Sequence, residues 1–229
     1  MVESIDKPRS RLASIAGLIV ALGAPFVLGY VPGYQPGPLT DTAGDIRFII
    51  FEWVVAFTLL AIVIFWERLP LRSIGFRALS RRVGMRVAVT AAIYATLAII
   101  TTLHRGNASV FGLPTPAELA TVPILMRIAL CLTAGFCEEL MFRAYSIERL
   151  ALLTGNLQIA SIVTTVLFTL GHVQVYGFTV ALVGVAIFST VVAALYLKTR
   201  NFFACAIVHT FIDFLGLILR PAIVAVTSS

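Results

Sequence analysis

Four ionisable side chains, Glu138, Glu139, His172 and His209, stand out inside apolar runs, with Arg143 and Asp213 accompanying them. Carboxylates and imidazoles at membrane depth are costly, and they are rare unless they face a cavity and serve a function there. Spacing separates their roles. Glu139 and Arg143 are four residues apart with the acid on the N-terminal side, the favourable order for a helical ion pair. His209 and Asp213 are also four apart and share a helix face. Adjacent Glu138 and Glu139 diverge by about 100° on an α-helix, so both cannot line one narrow cavity equally. Glu139 is therefore expected to pair with Arg143 and anchor the helix, leaving Glu138 free. A free carboxylate beside a neutral imidazole in a dry cavity can bind and deprotonate water. A second histidine with a polar neighbour can hydrogen-bond the oxyanion of an attacked amide. These parts suffice for peptide hydrolysis through an activated water.

The elements that must position these groups are helices in lipid. Of the 229 residues, 59% are hydrophobic and 12% are Asp, Glu, Lys or Arg, against about a quarter charged in a soluble domain. One water-soluble globule of this length cannot bury so much apolar surface. The apolar runs are Leu12 to Val31, Ile46 to Trp66, Val83 to Leu103, about Ile128 to Leu152, Leu157 to Tyr176, Phe178 to Leu197 and Phe202 to Leu219. An interfacial helix is expected before the fourth, a kink at Pro25, and a disordered or re-entrant tail after Pro221. Glu148 and Arg149 are expected to cap the inner end of the fourth span. The fold expected is all-α: a polytopic transmembrane helix bundle of about seven to eight spans, one integral membrane domain over 1–229 with a motif-bearing catalytic core at 118–220.

Most of the 17 Lys and Arg residues fall on the side of the N-terminus, above all in the loop from Glu67 to Arg86. The positive-inside rule then makes the N-terminus cytoplasmic and the Pro/Gly-rich stretch Val31 to Pro38 an outer turn. The net charge of +6 reads as topology rather than as nucleic-acid binding. At about 1.5 Å per residue, Glu138, His172, His209 and Asp213 lie roughly 21, 22, 12 and 18 Å from the inner ends of their spans. Three helices thus bring polar groups into one overlapping layer, as bundle-core sites require.

Three motifs follow in order on separate apolar helices. Cys137-Glu138-Glu139-Leu140-Met141-Phe142-Arg143 contains EExxxR, Phe168-Thr169-Leu170-Gly171-His172 is FxxxH, and His209-Thr210-Phe211-Ile212-Asp213 is HxxxN/D. Together they resemble the CPBP family, the CAAX prenyl endopeptidases and bacteriocin-processing or self-immunity proteins also called Abi, over about Thr121 to Phe214. The resemblance implies an intramembrane endopeptidase with Glu138 as base, His172 helping to hold the water and His209 as oxyanion donor. Asp213 stands where the prenyl endopeptidases have Asn. An ionised Asp cannot donate a hydrogen bond, so Asp213 is either protonated or orients His209. The resemblance favours a metal-free site with no cofactor. Were a metal such as zinc present, Glu138, His172 and His209 would be its ligands, although HExxH is absent.

The plainer readings are these. Phe168 packs on His172 one turn away, and His104 sits uninformatively at a span end. Cys131, Cys137 and Cys205 act as small hydrophobes, Cys137 on the wrong helix face to serve as nucleophile. GxSG and GxGD signatures are absent. Besides the protease, two readings stand: a non-catalytic membrane scaffold or bacteriocin self-immunity protein on the same fold, and a proton-coupled transporter. The expected partners are a membrane-associated peptide or protein substrate and the lipid bilayer, with no nucleic acid. The expected location is a prokaryotic plasma membrane.

Overall fold

The computed structural model describes residues 10–28, 42–106, 108 and 114–227. Among these residues all regular structure is helical. In chain order the elements are α1 (Arg11–Leu28), α2 (Thr42–Trp66), α3 (Arg81–Arg105), the short α4 (Pro116–Thr121), α5 (residues 124–154), α6 (Leu157–Tyr176), α7 (Val180–Thr199) and α8 (Phe202–Thr227). Five of these, α2, α3, α6, α7 and α8, are long and apolar enough to cross a membrane. The chain is a multi-pass membrane protein. Two helices of the expected set fall outside those five: α1 is shorter, and α5 carries Arg127, Glu138, Glu139, Arg143, Glu148 and Arg149. The expected outer turn Val31 to Pro38 lies outside the described residues.

Helix ends follow local chemistry. Ser80, Asn156 and Asn201 cap α3, α6 and α8 by accepting from the backbone N–H three residues on, which satisfies one otherwise orphaned donor each. Thr115 and Glu118 form a reciprocal capping box at α4, with Pro116 at its first position. The Thr115 hydrogen bonds hold the Glu118 carboxyl below the usual carboxylate range.

Buried polar contacts tie one end of the bundle together. Arg149 on α5 makes a two-toothed contact with Glu67, with Nη2 at 2.7 Å from Oε2 and both groups fully buried. Ser14 on α1 donates to the same Glu67 at 2.7 Å and Tyr145 at 3.1 Å. Next to it, Arg200 and Tyr196 both hold Glu148. Arg86 donates to the Lys198 carbonyl at 2.6 Å, and Asn201 to that of Arg77 at 2.9 Å. The basic segments assigned to one side by charge thus meet at one end. Glu148 and Arg149 do not merely cap a span. Each is spent on an ion pair with another element, because a buried charge needs a counter-charge there.

The tail is likewise not irregular. Arg220–Thr227 continues α8, with Arg220, Pro221 and Val224 buried. A π-turn at Leu215–Leu219 precedes it. Pro221 has no N–H to give the carbonyl four residues back, which is that of Leu217. Arg127 Nη1 on α5 donates to that oxygen at 2.9 Å.

Candidate active site

The helix that carries EExxxR is not a regular α-helix. Residues Ala134–Glu138 and Leu140–Tyr145 are wound as π-turns, a local widening found often at functional sites. At its start, Gly135 lets α5 and α8 approach. A Cβ there would collide with the Thr210 side chain and stand 2.8 Å from the Thr210 backbone N. That approach sets His209, the neighbour of Thr210, against the two glutamates.

Glu139 is fully buried and faces α8. Its Oε1 lies 2.8 Å from His209 Nδ1. Arg143 Nη1 is 3.1 Å from the same oxygen, within ion-pair distance but not aligned as a hydrogen bond. Arg143 Nη2 donates to Ser189 on α7 at 2.9 Å, and its guanidinium lies 4.1 Å from the centre of the Phe168 ring. Glu139 therefore serves two partners, Arg143 and His209; the helical spacing pointed only to the first.

Glu138 turns elsewhere. It lines a cavity of about 60 Å³ together with Glu52, Phe168, His172, Gln174 and Pro25. That is room for water-sized groups. His172 sits where α6 breaks between Leu157–Gly171 and Val173–Tyr176. Its Nδ1 is 2.8 Å from the Phe168 carbonyl oxygen. A carbonyl only accepts, so Nδ1 carries a proton, and in the neutral ring Nε2 keeps the lone pair. The Phe168 ring packs on it with centroids 4.5 Å apart.

His209 Nε2 is 3.9 Å from Glu138 Oε2 and 3.6 Å from Asp213 Oδ2, longer than hydrogen bonds. Phe188 closes over its ring at 4.6 Å. Thus Glu138 and His172 share the cavity, whereas His209 and Asp213 stand beside Glu138 but do not line it. Among the described residues no three His, Cys, Asp or Glu side chains converge as a metal site, Glu138, His172 and His209 included. The three cysteines are buried and free, and none lines the cavity.

One cavity residue escaped the sequence argument. Glu52 on α2 is 3% exposed, and its Oε2 has no hydrogen-bond partner. The rule that singled out Glu138 applies to it, since it is an acid inside an apolar run.

A family model described as "Type II CAAX prenyl endopeptidase Rce1-like" matches residues 119–215. No curated protein and no solved structure matches the chain. The matched segment runs from α4 into α8 and contains all three motifs, the π-wound stretch of α5 and the break in α6. Residues 119–215, which build most of this site, thus match the Rce1-like, type II CAAX prenyl endopeptidase family, the CAAX protease group that the three motifs resemble.

Proposed function

We propose that the chain is an intramembrane endopeptidase of the CAAX prenyl type, hydrolysing a peptide bond with a water activated by Glu138. The observation that carries this reading is that Glu138 and His172, from two different helices, line one small cavity in a membrane bundle. Water held between them gives a proton to Glu138 as its oxygen attacks the carbonyl carbon. The carbonyl π pair moves onto oxygen. When the tetrahedral species collapses, the C–N bond breaks and the amine leaves with the proton that Glu138 took. His209 supports the charge on Glu138 and, when its Nε2 bears a proton, can donate toward the oxyanion. Asp213, 3.6 Å from that nitrogen, orients the ring. Glu139 and Arg143 hold His209 from behind. With the basic end of the bundle cytoplasmic, the site lies within a plasma membrane and takes a membrane-tethered peptide.

The test is incubation of purified protein in liposomes with a library of membrane-tethered peptides, products read by mass spectrometry. Wild type should cleave, and Glu138→Ala and His172→Ala should not. A chelator arm separates the metal-free route, which it leaves unchanged, from a zinc route, which zinc restores. No cleavage, together with full cellular function of Glu138→Ala, would replace the protease with a scaffold.

A further inference from the structure

Among the described residues, two carboxylates and an imidazole face the cavity. Glu52 Oε2 and Glu138 Oε2 are both buried with no side-chain or backbone hydrogen-bond partner among the described residues, and His172, its Nδ1 held at the Phe168 carbonyl, lines the same cavity. Besides these, the one polar side chain in the lining is Gln174, whose amide nitrogen is turned to the Phe26 carbonyl at 3.5 Å. Buried acceptors are paired in native proteins, and an unpaired one is costly. Packing does not explain Glu52, because an apolar residue of similar volume would fill the same space without an orphaned oxygen. Two charged carboxylates facing one space of about 60 Å³ would also repel each other.

A proton on one carboxyl removes that repulsion and turns an acceptor into a donor, and the surroundings select which. Glu138 has His209 at 3.9 Å and lies on the same helix as Arg143. The charged and titratable groups nearby are Glu139 and Arg143 on α5, His172 on α6, and His209 and Asp213 on α8. Glu52 on α2 makes no ion pair with any of them among the described residues.

We propose that Glu52 is a further catalytic residue of this site, acting as a neutral carboxylic acid whose O–H donates a hydrogen bond to the oxygen of the attacked carbonyl while Glu138 serves as base. The inference rests on the proteolytic reading above. The cavity is the place where an oxyanion would form, and Glu52, which lines it as His209 does not, can supply a donor from the cavity wall. No proton need be transferred from it, since a hydrogen bond that strengthens as charge develops is sufficient. The arrangement assigns opposite duties to two glutamates from opposite parts of the chain.

Conservative variants separate this from other roles. Glu52→Gln keeps a neutral donor and should retain turnover within a few-fold of wild type. Glu52→Leu removes the donor and should lower kcat roughly 100-fold with KM little changed. Its thermal unfolding temperature should stay level or rise, because an orphaned polar group has gone. Glu138→Gln should be inactive throughout. Wild-type turnover in Glu52→Leu, or inactivity of Glu52→Gln, would overturn the assignment. A second readout needs no substrate: infrared spectra of wild type at neutral pH should show a buried carboxylic-acid C=O band that Glu52→Gln removes. Absence of that band, or its survival in Glu52→Gln, overturns the proposal even if no peptide is ever cleaved. Turnover that persists in Glu138→Ala would instead strike the protease reading itself.

Discussion

Glu139 Oε1 accepts from His209 Nδ1 at 2.8 Å across 70 residues of chain, and the same oxygen faces Arg143 at 3.1 Å. One carboxylate oxygen thus fixes the ring of a site histidine and anchors a buried cation. Removing it by Glu139→Ala leaves a buried guanidinium without its counter-charge. A loss of about 3–5 kcal/mol is expected, together with loss of turnover because His209 is no longer held. A double-mutant cycle of Glu139→Ala and Arg143→Ala in thermal or denaturant unfolding checks this. The double variant should be less destabilised than the sum of the two single variants.

Gly135→Ala should separate α5 from α8 by driving a methyl group into Thr210. A displacement of the order of 1 Å at a catalytic group costs roughly 100-fold in rate. Thr210→Ala added to it should recover only part of the activity, since the Thr210 backbone N at 2.8 Å remains in the way. Turnover rates of the single and the double variant against wild type decide the matter.

Arg127 and Pro221 form a compensated pair. Arg127→Ala removes the donor to the part-buried Leu217 carbonyl and should lower stability by about 1 kcal/mol, the net worth of a hydrogen bond. Pro221→Ala restores a backbone N–H and should relieve most of that loss. Thermal unfolding in detergent of the single and double variants measures it.

The Glu67–Arg149 pair is expected to be structural alone. Arg149→Met strands a fully buried carboxylate and should cost about 3–5 kcal/mol. Glu67→Gln combined with Arg149→Met should return much of that stability while leaving turnover per folded molecule unchanged. Unfolding curves and active-site-normalised rates are the measurements.

These cases mark what could be read from the chain. Helices and the chemistry-bearing residues stood out because a charge inside an apolar run is conspicuous, and Glu138, His172 and His209 are such residues. Glu52 obeyed the same rule, yet it had no partner at i+4 to form a motif. The π-winding at Ala134–Glu138 leaves no signature in apolar periodicity, so the second partner of Glu139 was out of reach. The Glu67–Arg149 pair joins positions 82 residues apart, and nothing local announces it. The helical tail past Pro221 meets a donor from α5 at the Leu217 carbonyl, a tertiary contact that the local rule for proline does not contain.

The most direct test of the central claim is single-turnover cleavage of a membrane-tethered peptide in liposomes by wild type, Glu138→Gln and His172→Ala. Wild type should release the C-terminal fragment. Glu138→Gln, isosteric but unable to take a proton, should release none, and His172→Ala should fall by at least about 100-fold. Release by Glu138→Gln at the wild-type rate would contradict the account.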